Sequence, residues 1–61
     1  MRNLTPVEIE SIKTELELIA TESQRAQDEL AQNKQDRLLV TLNCIRIFSE
    51  KAICTLEGVN E

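Results

Sequence analysis

The chain has no histidine, no tryptophan and no tyrosine, and it carries a single glycine, a single proline and a single phenylalanine in 61 residues. Without histidine, no side chain has an ordinary pKa suited to general-base work near neutral pH. With Gly58 as the only glycine, no glycine-rich loop can cradle a phosphate. No serine stands in an elbow motif, and neither cysteine has a histidine to activate it. Cys44 and Cys54 are the only soft metal donors, where a structural zinc site takes four. Neither catalysis nor a cofactor or metal is expected. On one helix the two cysteines would lie roughly 15 Å apart along the axis, too far for a disulfide. They are expected to be small buried apolar residues in a reducing compartment, the alternative being a disulfide between chains.

Long apolar runs are missing too. The most apolar segment, Leu38–Phe48, is broken by Thr41, Asn43 and Arg46 and is too short to span a bilayer. No apolar leader follows Met1, so a cytoplasmic protein is expected. Net charge is −4, and residues 1–33 concentrate seven acids against Arg2, Lys13 and Arg25. A nucleic-acid binder shows a basic face, and an anionic membrane surface asks for the same, so neither partner is expected. The acidic face of the first helix reads as ordinary solubility, or else as a dock for a basic partner.

What is present is helical periodicity. Thr5-Pro6-Val7-Glu8 has the form of a capping box with proline at the first helical position, and Leu4 and Ile9 are spaced for a hydrophobic staple. Ile9, Ile12, Leu16, Ile19, Ser23, Ala26 and Leu30 then step 3-4-3-4-3-4, the spacing of a heptad seam. Leu18 lies off this seam. The pattern stops over Gln32–Asp36, where Asn33 suits a left-handed helix end and Asp36 suits the N-cap of a second helix. A single continuous helix is the alternative. It would need a register shift, because the first seam extends to Asn33, Arg37 and Val40 while the second begins at Leu38 and Leu42. The expectation is an all-α, two-helix antiparallel hairpin forming one domain over 1–61. Helix 1 covers about 6–32, the turn about 33–36 and helix 2 about 37–57, with Gly58 as the cap after it.

Helix 2 carries more apolar surface than helix 1 can cover. Leu38, Leu42, Ile45, Phe48, Ala52, Leu56 and Val59 are expected to face helix 1, leaving Val40, Cys44, Ile47 and Cys54 as a second stripe. A helix apolar on two faces is buried on two faces. Small scaffolds of this length commonly rely on such oligomerisation. Completion by a partner chain or by self-association is therefore expected, through Leu39, Val40, Cys44, Ile47, Phe48 and Cys54. Phe48, the only aromatic residue, suits either the core or a pocket of the partner. Glu15, Glu17 and Glu22 are spaced as surface acids. Ile47→Asp is expected to break a complex and leave the chain helical.

Short length, acidity, a long first helix, a brief turn and an apolar second helix together resemble the small two-helix co-chaperones of type III secretion needle subunits, from Leu4 to about Val59. The turn departs from the glycine many such hairpins carry, having Asn33-Lys34-Gln35-Asp36 instead. The resemblance implies a cytoplasmic hairpin that pairs with a larger tetratricopeptide-like chaperone and, indirectly, with the needle subunit, which the pair keeps soluble and monomeric before export. A homodimer could hide the same stripe when the hairpin is alone. Two rival readings come from the residues. One is a self-assembling four-helix-bundle regulator that binds RNA through Arg37, Arg46 and Lys51. The other is an antagonist whose second helix fills a regulator's groove.

Overall fold

The start of the first helix is written into its sequence. The computed structural model describes residues 2–60, in which α1 spans Pro6–Ala31 and α2 spans Gln35–Asn60. The Glu8 amide donates to Thr5 Oγ1 at 3.2 Å and the Thr5 amide donates to Glu8 Oε1 at 2.9 Å, which closes the capping box. Arg2 grips the same carboxylate with both guanidinium nitrogens, each at 2.6 Å. This grip, reinforced by the Thr5 amide, holds the Glu8 carboxyl at about 2, well below its usual 4.5. A depressed carboxylate contributes stability that is complete above about 4.5 and lost as pH falls toward 2. Wild type should therefore melt above Glu8→Gln at pH 6, and the gap should close by pH 2. A gap in thermal midpoint that persists at pH 2 would contradict this account.

The turn is built on Asn33, which takes the left-handed conformation with φ 57°. The Lys34 amide donates to the Glu29 carbonyl at 2.9 Å and the Asn33 amide to the Leu30 carbonyl at 3.1 Å. This pair of bonds is a Schellman motif with asparagine at its left-handed position. Glycine would hold that φ without a Cβ penalty, whereas a β-branched residue would not. Asn33→Gly should keep or raise the midpoint of thermal unfolding, and Asn33→Val should lower stability by roughly 1–2 kcal/mol. Equal midpoints for the two variants would contradict the assignment.

Both ends of α2 differ from expectation. The helix begins at Gln35, ahead of Asp36, so Asp36 sits in the first turn and is not the N-cap. It also runs through Gly58 to Asn60, and no glycine has positive φ among the described residues. Gly58 is thus an interior residue; the apolar periodicity extends past it to Val59, which is 6% exposed.

The two helices pack against each other as an antiparallel hairpin, and no strand occurs among the described residues. The Cα extents are 44 × 17 × 11 Å. The radius of gyration is 14.1 Å, against about 10–11 Å for a compact chain of this length. The hairpin is one helix layer thick, so it presents two broad faces and has a seam but no enclosed core. No helix among the described residues is long and apolar enough to cross a membrane.

The seam differs from the apolar stripe read in the sequence. On α1 the residues turned toward α2 are Glu8, Ile12, Glu15, Ile19, Glu22, Ala26 and Glu29, all half-buried or buried. On α2 they are Leu38, Thr41, Ile45, Phe48, Ala52, Thr55 and Val59, again half-buried or buried. Both sets step by three and four, so each is a heptad seam. Ile12, Ile19, Ala26, Leu38, Ile45, Phe48, Ala52 and Val59 are common to the expected and observed seams. The residues that differ are Ile9, Leu16, Ser23 and Leu30, replaced by Glu8, Glu15, Glu22 and Glu29, and Leu42 and Leu56, replaced by Thr41 and Thr55. Each helix is rotated by about 50°, half of one residue's turn, relative to its apolar stripe.

Local hydrogen bonding lets polar residues occupy that seam. Thr41 Oγ1 donates to Glu29 Oε1 at 2.5 Å across the helix pair. Thr55 Oγ1 donates to the Lys51 carbonyl of its own helix at 3.1 Å. The glutamates are less well served. Glu15 is 7% exposed, and neither its Oε1 nor Oε2 of Glu22 has a hydrogen-bond partner among the described residues. Glu15 and Glu22 are therefore not the solvated acids their spacing suggested.

Candidate functional site

The rotation that brings glutamates into the seam turns aliphatic side chains out of it. In an antiparallel pair, equivalent positions beside the seam on the two helices share one side of it. On one side α1 contributes Ile9, Leu16, Ser23 and Leu30, each seven residues after the last, and α2 contributes Leu42, Ser49 and Leu56 at the same interval. The next line outward on α2 adds Leu39 and Ile53. The large members are 43–67% exposed, from Leu56 to Leu30. Seven of the eleven exposed large hydrophobics thus fall on a single broad face made by both helices.

The charge on this face is as uneven as its hydropathy. Counting the first two lines beside the seam on each helix, the face holds no acid. Its charges are Lys13 on α1, with Lys34 in the turn, and Arg46 on α2, and its other members include Ala20, Ser23, Gln27 and Ser49. Arg46 is drawn outward toward Glu50, at 4.0 Å. The opposite broad face carries the glutamate side of the seam together with cations. Arg25 lies 3.4 Å from Glu22. Arg25 and Glu29 of α1 and Arg37, Val40 and Thr41 of α2 line one shallow depression there. The hairpin is therefore uneven: seven of the exposed large hydrophobics share a face without acids, and on the other face Val7, Leu18, Val40 and Ile47 are interspersed with the ions. A continuous apolar surface of this extent marks an interaction site on a small protein.

The six residues expected to bind a partner are spread over the molecule. Val40, Ile47 and Cys54 share one line on the outer side of α2, seven residues apart, and all are exposed, Val40 at 64% and Ile47 at 48%. Cys44 is half-buried beside the seam on the ionic side and does not belong to that line. Phe48 is a half-buried seam residue. Leu39 is exposed and belongs to the two-helix apolar face. Both cysteines are free, and Cys54 is exposed where a buried residue was expected. The outer line is separated from the apolar face by Asn43, Glu50 and Glu57, which occupy the intervening heptad position.

The residues that sequence reasoning missed as a docking surface are Ile9, Leu16, Leu30, Leu42 and Leu56. Their periodicity was visible, but it was assigned to the interior of the hairpin. One signal could have separated the two uses, namely Glu8, Glu15, Glu22 and Glu29 recurring every seven residues one step before the aliphatic line. No family model, curated protein or solved structure matches this chain.

Proposed function

We propose that this chain is a non-catalytic protein-binding module of the cytoplasm. Its partner is a larger tetratricopeptide-like chaperone, and the pair keeps a type III secretion needle subunit soluble and monomeric before export. The observation that carries the binding part of this reading is the aliphatic face shared by α1 and α2, left open by a seam that takes glutamate and threonine instead. Helical-repeat proteins present extended concave binding surfaces, along which the hairpin's 44 Å long axis would lie. Docking would stabilise both proteins by mass action. The needle subunit's specificity comes from the resemblance in length, acidity and helix layout, which supports the reading at that finer level.

The experiment is affinity capture of the tagged chain from its native cell, with wild type and Leu42→Asp compared side by side and partners identified by mass spectrometry. The reading expects a helical-repeat protein together with a small needle-like subunit, both lost with Leu42→Asp. Capture of a transcriptional regulator would replace it with the antagonist reading.

A further inference from the structure

We infer that the apolar face is also self-complementary, so that in the absence of another partner two copies of this chain lay these faces together as a four-helix bundle. The first support is area. Aliphatic side chains exposed to 43–67% on this face present roughly 700 Å² per copy, close to the ~800 Å² per partner of a standard interface.

The second support is the order of residue sizes along the face. Ala20, Ser23 and Ser49 are small and lie near the middle of the hairpin's length, where Leu16 and Arg46 also fall. Leu30, Leu39 and Leu42 cluster toward the turn, and Ile9, Ile53 and Leu56 toward the free ends. A two-fold axis across the middle brings the bulky turn end of one copy against the bulky free end of the other. Such an isologous arrangement closes as a dimer.

The third support is the sequence pattern itself. Each helix is aliphatic at the shared seam line and at the line beside it, the wide stripe of a bundle helix and not the narrow one of a two-helix seam. Charge permits the same arrangement. The face carries no acid, and Glu17 on α1 lies on the next line beyond its rim, level with Arg46 of the other copy about that axis. Because the same face would serve the chaperone, self-pairing and partner binding exclude each other.

The test is the sedimentation mass of the purified full chain, reduced, at about 100 µM, with wild type, Leu42→Glu, Ala20→Glu and Ile47→Glu run in parallel. Ala20 is exposed and outside the seam, so its variant reports on association even if Leu42→Glu disturbs folding. Expected are twice the monomer mass for wild type and Ile47→Glu, and the monomer mass for Ala20→Glu with helical circular dichroism retained. A monomeric wild type, any larger assembly, or a dimer that Ile47→Glu dissolves and Ala20→Glu leaves intact would overturn the inference. None of these outcomes depends on the chaperone reading, which the capture experiment tests separately.

Discussion

Leu42→Asp abolishes partner binding by this hairpin and leaves the hairpin folded. Leu42 lies beside the seam and is 50% exposed in the isolated chain, so a carboxylate there stays in water until a partner arrives. Docking would then bury an unpaired charge within an aliphatic surface and forfeit the leucine's own burial. Together these should cost at least about 3 kcal/mol, roughly a hundredfold or more in dissociation constant. The check is titration calorimetry with the captured partner, alongside circular dichroism of the free variant. Ile47→Asp, on the outer line of α2, serves as the comparison. Tight binding by Leu42→Asp together with failure of Ile47→Asp would move the docking surface to Val40, Ile47 and Cys54.

Glu15→Leu stabilises the hairpin. The native carboxylate is 7% exposed, and its Oε1 has no hydrogen-bond partner among the described residues. Leucine removes an unsatisfied buried polar atom and adds aliphatic contact in the seam. Replacing buried ionic groups by apolar ones of similar volume typically gains on the order of 1–3 kcal/mol. For a chain of this size that corresponds to a rise of roughly 5–15 °C in thermal midpoint. The measurement belongs in the Ala20→Glu background, where self-association does not contribute to the midpoint. An unchanged or lower midpoint would mean that the Glu15 carboxylate is solvated and that the seam lies elsewhere.

The elements were legible in the sequence because their signals are local. Thr5, Pro6 and Glu8 specify a helix start by their own hydrogen bonds, and the capping box forms as their spacing demands. Asn33 tolerates the left-handed turn, so the break between helices falls where the apolar pattern lapses. The orientation of each helix was only half legible. An apolar stripe reports the summed direction of every apolar neighbour, including neighbours on another chain. Ile12, Ile19 and Ile45 lie where the two directions overlap and were placed correctly. Leu16, Leu42 and Leu56 lie toward the second direction. Hydropathy alone places them in the hairpin core, because it cannot tell an internal partner from an external one. Glu15 and Thr41 occupy the seam for the complementary reason. A threonine that donates to Glu29 and a glutamate with a long aliphatic stem can line a two-helix contact that the hydropathy pattern does not reveal.

The central claim is that the face carrying Leu16 and Leu42 is the one covered by another chain. Its most direct test is photocrosslinking in living cells of the source organism, with a photoreactive residue placed in turn at Leu16, Leu42, Ile47 and Lys51. The account predicts intermolecular adducts from Leu16 and Leu42, on two different helices but one face, and none from Lys51 on the ionic side. Adducts from Lys51 with none from Leu16 or Leu42 would contradict it.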